Sequence, residues 1–236
     1  MSEHSAYLLE ARSLTRSFGR KAALSGLDLR LGPGHIVGLL GPNGSGKTTL
    51  MKLACGLIKP TAGQILIDGK TPGPASRSQV AYLPDTSYLS DWMRVSDVVS
   101  LYADFYADFD RDNAAALIRD LGLDERARLS TLSKGNREKV QLLLVMSRRA
   151  RLYLLDEPIG GVDPAAREYI INTIIGNYQP ESTVLISTHL IYDVEPVLDH
   201  ALFLREGRIA VEGGVDELRE GSGKSLDELF REVFRC

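Results

Sequence analysis

Gly41-Pro42-Asn43-Gly44-Ser45-Gly46-Lys47-Thr48-Thr49 constrains this chain more than any other stretch. A glycine, four residues and then Gly-Lys-Thr is a spacing at which successive backbone N–H groups turn inward around an anion, because no Cβ stands in the way. The spacing predicts a nucleoside-triphosphate site. Lys47 is placed to put its ammonium between the β- and γ-phosphates, Thr48 to offer its hydroxyl to Mg²⁺, and the helix that opens there to point its positive end at the phosphates. The flanks supply the required context. Val37-Gly38-Leu39-Leu40 reads as a buried strand, and Leu50, Leu53, Ala54 and Leu57 share one helical face that ends at Gly56 and Pro60.

The remaining bulk properties narrow the class. A chain of 236 residues has room for one large α/β domain with an inserted subdomain, and can bury a substantial core. A net charge of −3 offers no basic field for broad nucleic-acid binding. No apolar run approaches the roughly 18 residues that would span a bilayer. Met1-Ser2-Glu3-His4-Ser5 lacks a basic segment followed by an apolar one, so the expected location is the cytoplasm. The two cysteines, Cys55 on the helix after the loop and Cys236 at the end, suggest neither a disulfide framework nor a metal cluster.

Taken in order, residues 6–31 hold two strand-like runs, Tyr7 to Leu9 and Leu24 to Leu31, expected to form a short antiparallel sheet. Arg16-Ser17-Phe18-Gly19 puts an aromatic in a turn between them, where it either stacks on an adenine ring or plugs a core edge. Gln64 to Gly69 reads as a strand with a tight turn, and Lys70 to Ser78 as a loop. Val80 to Leu83 is a further strand, stopped by Pro84 and followed by Asp85. From Val95 to about Ser147 the pattern is helical, as an inserted subdomain. Ser133 is a good cap for the helix whose face carries Val140, Leu143, Leu144 and Ser147.

Leu152-Tyr153-Leu154-Leu155 suits a strand buried on both faces, and it ends in Asp156-Glu157-Pro158. Two carboxylates there are costly without a cation or a proton to accept. Asp163-Pro164 starts a helix with a cap and a first-position proline, and Gly176 is expected to end it. Val184 to Ser187 forms one more strand, which ends at Thr188-His189. Four apolar strands thus deliver polar chemistry at their carboxyl ends: the phosphate loop, Asp85, Asp156 with Glu157, and His189. Ligands bind at that edge of an open parallel sheet. Singly, His189 reads as a structural histidine and Asp85 as a turn residue; jointly they read as a site.

With the loop, Leu132-Ser133-Lys134-Gly135-Asn136, Leu154 to Pro158, Gly161-Val162-Asp163 and Ser187-Thr188-His189 in this order and spacing, nearly the whole chain resembles the ATP-binding subunit of an ABC transporter. Within that family it looks like the bacterial single-domain type serving separately encoded, exporter-like membrane subunits. The resemblance implies an α/β P-loop fold: a mostly parallel core sheet, an N-terminal antiparallel β subdomain and a helical subdomain inserted at about 86–150, all within 1–220, with an amphipathic helical tail at 221–236. It implies ATP and Mg²⁺ as cofactors. It also implies a head-to-tail dimer, of identical copies or with a related ATPase, in which ATP lies between the phosphate loop of one copy and Ser133 and Gly135 of the other. Glu157 then looks like the general base for water, His189 the switch that senses the γ-phosphate, and Asp156 a holder of Mg²⁺ through its water shell. Phe18 falls where the family stacks an aromatic on adenine, and Asp163 where it couples the two sites. A transmembrane permease is the implied partner, no nucleic acid is expected, and the implied place is the inner face of the cell membrane. Phosphoryl transfer asks mainly for positioning and charge stabilisation, which agrees with the residues present.

Three positions depart from the family pattern. Asp85 stands where a glutamine usually reaches Mg²⁺ and relays to the membrane subunit, Lys134 replaces a glycine, and Asn136 replaces a glutamine. Base, lysine, Mg²⁺ hydroxyl and switch histidine all remain, so ATPase activity is expected. In the tail, Ser225 and Glu228 form a capping-box pattern ahead of an apolar stripe of Leu226, Leu229, Phe230 and Val233, which serves either packing on the parent domain or contact with another subunit. A soluble ATPase of the same superfamily acting on nucleic acid or ribosomes is the competing function. Against it, repair members carry a long coiled coil within the domain and translation members carry two domains in one chain.

Overall fold

The computed structural model describes residues 6–234, so Met1 to Ser5, Arg235 and Cys236 lie outside the described residues. Strands and helices are labelled in chain order. In one sheet β1 (Leu9–Phe18) lies between β2 (Lys21–Leu31) and β4 (Ala62–Ile67), antiparallel to both. In the other, β5 (Val80–Leu83), β6 (Leu152–Asp156), β7 (Thr183–Thr188), β3 (Ile36–Leu40) and β8 (His200–Arg205) run parallel in that spatial order, and β9 (Arg208–Gly214) closes the edge antiparallel to β8. This is the α/β architecture expected, with a mostly parallel core sheet beside an antiparallel one.

The unbroken apolar runs of the central strands have a simple cause. Side chains alternate across a strand, and here each face meets its own core. Val37, Leu39, Leu152, Leu154, Leu185, Leu202 and Leu204 point to a core shared with α1 (Lys47–Ala54) and the antiparallel sheet. Leu40, Tyr153, Leu155, Val184, Ile186 and Phe203 point the other way, to a core shared with α4 (Arg111–Asp120), α5 (Lys134–Met146) and α6 (Pro164–Asn177). Burying each such side chain contributes about 1.5–3 kcal/mol, so both halves of the alternation are held in register.

The helices α3 (Val95–Phe105), α4 and α5 are inserted between β5 and β6, which are hydrogen-bonded neighbours. Capping starts the last two. Asp110 accepts from the backbone N–H of Asp112 and Asn113, and Ser133 Oγ from that of Asn136 at 3.2 Å. Arg148, only 3% exposed, ties the insert down where it ends. Its guanidinium donates to the Val80 and Ser78 carbonyls at 2.6 and 2.8 Å, pairs with both oxygens of Asp108, and lies 3.9 Å from the Tyr106 ring centroid. The planar fork of arginine suits such a set of partners.

Beyond β9 come α8 (Val215–Ser222) and α9 (Leu226–Val233). Ser225 and Glu228 make the reciprocal capping box. Leu226 is fully buried, and the rings of Phe230 and Phe234 lie 5.4 and 6.2 Å from Phe203 on β8.

Several elements differ from the sequence reading. The strand read as Tyr7 to Leu9 runs on to Phe18, because Ser13 at φ 46° makes a bulge that breaks the alternation the eye follows. Phe18 therefore closes β1, and the turn is Gly19-Arg20. The loop from Lys70 contains a short helix, α2 (Pro74–Arg77), and α6 passes Gly176 to Asn177. The hairpin β8–β9 was not anticipated. Its signal is Glu206-Gly207, both at positive φ (49° and 76°), the backbone a two-residue hairpin turn requires. A final short helix, α7 (Ile191–Val194), follows His189.

Candidate functional site

β3 runs straight into the phosphate loop, and α1 begins at Lys47. The loop is seated on the antiparallel sheet and the β8–β9 turn. Gly46 has φ 115°, and a Cβ there would stand 2.5 Å from the Ala23 carbonyl oxygen, so glycine is required both by conformation and by space. Gly207 N–H donates to the Ser45 carbonyl at 3.0 Å. Lys47 is 5% exposed, yet its ammonium is satisfied: it donates to the Gly41 and Pro42 carbonyls at 2.7 and 3.3 Å and lies 3.4 Å from Glu157 Oε1.

β6 lies two strands from β3, with β7 between, and its end supplies the acids. Asp156 is 1% exposed. Its Oδ1 accepts from Ser187 Oγ at 2.5 Å, while Oδ2 is buried without a hydrogen-bond partner. Burial pushes its pKa up; the Ser187 bond and the nearby Thr48 hydroxyl oppose that, and the charges of Asp85 and Glu157 add to it. A buried carboxylate oxygen without a partner, beside a hydroxyl from the phosphate loop, is a donor set that suits a hard cation such as Mg²⁺. Glu157 sits at φ 51°, unusual for a side chain with a Cβ. Its backbone N–H donates to the Ser187 carbonyl and Oγ at 3.0 and 3.2 Å, and Gly160 N–H donates to its carbonyl, so the strained turn is held from both sides. His189, past the end of β7, brings Nδ1 to 3.0 Å from Glu157 Oε2.

The structure therefore joins Lys47, Thr48, Asp156, Glu157 and His189 into one contact network. Asp85 follows β5 on the same edge, lines a cavity of about 530 Å³ with Asp156 and Glu157, and its charge is felt by Asp156. Phe18 stands 52% exposed at the end of β1, with the Arg16 guanidinium 4.5 Å from its ring centroid. Ser133, Gly135 and Asp163 are exposed on the chain's surface; Gly135 has open space where a Cβ would stand, and Asp163 Oδ1 accepts from Ala166 N–H. Two contributors went unread in the sequence. Ser187 fixes both acids, and its only signal was a hydroxyl at the end of an otherwise apolar strand. Gly207 supports the phosphate loop from a hairpin that went unread itself.

A phosphate loop at the end of a central parallel strand, with an acid pair and a histidine gathered beside it, defines a P-loop nucleotide hydrolase. The family model described as ABC transporter matches residues 24–160. The chain is 30% identical to the ABC-type transporter ATP-binding protein EcsA of Bacillus subtilis over 96% of each chain, and 29% identical to its SkfA peptide export ATP-binding protein SkfE over 97% and 96%. It is 33% identical to the aliphatic sulfonates import ATP-binding protein SsuB 3 of Pseudomonas syringae, over 88% of this chain and 77% of that one. A solved ATP-binding subunit of an ABC transporter superposes with a TM-score of 0.87 at 30% identity, covering 97% of this chain and all of that one. This chain belongs to the ABC transporter family as an ATP-binding subunit, and such subunits are ATPases coupled to transport.

Proposed function

We propose that two copies of this chain, or one with a related ATPase, close head to tail around two ATP molecules and power a separately encoded permease from the inner face of the membrane. The observation that carries the site assignment is Glu157, whose two oxygens meet Lys47 and His189. Lys47 exchanges the Gly41 and Pro42 carbonyls for β- and γ-phosphate oxygens when ATP enters, which releases Glu157 Oε1. Thr48 and Asp156, with Asp85 on the same sheet edge, would hold Mg²⁺, which would supply neutralisation of charge on the phosphates. Glu157 takes a proton from water as the water oxygen bonds to the γ-phosphorus and the bond to the ADP oxygen breaks. His189 keeps the carboxylate and the γ-phosphate in line. Phe18 packs against the adenine, and Ser133, Gly135 and Asp163 act across the dimer.

We assign 1–220 to the ATPase unit, with the insert at about 86–150, and 221–236 to the tail. Among the described residues no helix is long and apolar enough to cross a membrane; in the proposed assembly the permease supplies the path. An apolar groove of about 400 Å³, lined by Leu57, Tyr82, Tyr88, Tyr102 and Tyr106 and bordered by Asp85, is the place for a permease helix. Export is favoured over import by the near-complete coverage of both chains in the match to SkfE.

Glu157→Gln keeps the side chain's size and one accepting oxygen and removes the base. The expected result is a loss of turnover of about 100-fold or more, with ATP still bound; hydrolysis at the wild-type rate would overturn the assignment. Tagged Glu157→Gln protein with ATP and Mg²⁺ is expected to recover a multi-span membrane protein from detergent-solubilised native membranes. Recovery of ribosomal or DNA-associated proteins alone would replace the transport reading.

A further inference from the structure

The last residue of β1 has a cation laid on it. Arg16 holds its guanidinium 4.5 Å from the Phe18 ring centroid, which is cation–π geometry. No carboxylate among the described residues competes for that charge. The guanidinium has one backbone partner, the Lys59 carbonyl, to which Nη1 donates at 2.9 Å, and its Nε is buried without a hydrogen-bond partner. A guanidinium is planar and weakly hydrated, so an aromatic face suits it. Phe18 is nevertheless 52% exposed, which leaves room on the ring for a second flat group.

The same arginine ties Phe18 to the phosphate loop. α1 opens on that loop, and the chain that leaves α1 passes β1 at residues 59–61. Three hydrogen bonds join the two there: Arg16 Nη1 to the Lys59 carbonyl, Thr61 N–H to the Thr15 carbonyl at 2.8 Å, and Ser17 N–H to Thr61 Oγ1 at 3.1 Å. Phe18 is the next residue of the chain. Its distance from the phosphate loop is therefore set by one short helix and three bonds, and the orientation of its ring by the guanidinium. Of the groups that make those bonds, Arg16 is the one that also touches the ring.

We propose that Arg16 is a positioning residue for the nucleobase: it fixes the Phe18 ring from one side and polarises it, so that the purine stacks on the other side. The inference rests on the reading above that Phe18 packs against the adenine, and adds to it the group that makes an exposed ring a preformed platform. Two effects act in the same direction. A ring already held in place loses less freedom when the base arrives. A ring whose π electrons are drawn toward a cation is also a better partner for an electron-rich purine. Neither effect reaches the phosphates, so Arg16 acts on base binding alone.

The test measures, by titration calorimetry on the full chain, the affinity for ADP and for inorganic tripolyphosphate, which has phosphates and no base. Arg16→Gln is expected to weaken ADP about fivefold and to leave tripolyphosphate unchanged. Arg16→Lys, which keeps a charge for the ring, should lie between wild type and Arg16→Gln. In a Phe18→Ala background, Arg16→Gln should cost nothing further, because it acts through the ring. ADP bound by Arg16→Gln as tightly as by wild type overturns the proposal, and tighter binding would mean that the guanidinium covers the face the base needs. A loss that tripolyphosphate shares, or one that persists undiminished in the Phe18→Ala background, overturns it too, as does an Arg16→Lys protein no better than Arg16→Gln. Phe18→Ala alone binding ADP as tightly as wild type would instead remove the stacking reading on which the proposal stands.

Discussion

At the residue scale the site stores discomfort that a ligand relieves. Asp156 has its pKa raised above the ordinary 3.8, chiefly by burial. A carboxyl raised in the folded state contributes stability fully present below its unfolded pKa, and that contribution is lost as pH rises through the folded value. At neutral pH without cation or nucleotide, the ionised carboxylate is therefore a burden on the fold. Asp156→Asn keeps an oxygen for the Ser187 hydroxyl and removes the charge. In metal-free buffer its melting temperature is expected to match wild type at the acid end and to exceed it by about 2–4 °C at pH 7.5, the shift that about 1 kcal/mol produces in a domain of this size. Added ATP and Mg²⁺ should stabilise wild type and leave the variant behind. Calorimetry at several pH values decides it: a variant less stable than wild type at pH 7.5 without metal would mean that the carboxylate is not under strain.

At the element scale, α9 is joined to the core through β8. Leu226 is fully buried, its N–H donates to Glu195 Oε1 at 2.9 Å, and Arg205 donates to the Val233 carbonyl. Leu226→Ala is expected to cost about 3 kcal/mol, within the usual range for a buried leucine, with ATP turnover per folded molecule unchanged; urea unfolding and a turnover assay measure the two halves separately. Elements with one clean period were legible from the residues alone. The continuous apolar strands β3, β6 and β7, the capped helix at Ser133 and the capping box at Ser225 all announce themselves locally. What escaped depends on a break in period or on a distant partner. The Ser13 bulge hides most of β1, and the β8–β9 hairpin turns on a Glu-Gly pair where glutamate must accept positive φ. The same division holds in the site: Lys47, Asp156, Glu157 and His189 stand at strand ends, where chain position reveals them. Ser187's two bonds, by contrast, join residues 30 and 31 positions apart.

At the scale of the molecule, the parallel strands β5, β6, β7 and β3 bring one edge together, and everything assigned to the γ-phosphate within a chain lies along it. The groups assigned across the dimer do not, so under the proposed function closure is a bimolecular event. For Glu157→Gln protein with ATP and Mg²⁺, the melting temperature is therefore expected to rise with protein concentration, because a ligand-linked dimer is stabilised by mass action. With ADP it should not. A thermal shift independent of protein concentration in ATP would indicate nucleotide bound to single chains only.

The helical insert leaves the sheet from β5 and returns on β6, its immediate neighbour. Such a graft is modular: its two ends are already side by side, so a lineage can lengthen, shorten or exchange what stands between them without re-threading the strands that meet ATP. If the insert carries the permease contact, as the proposed function has it, the engine and the coupling that fits it to a particular load can be inherited on different schedules.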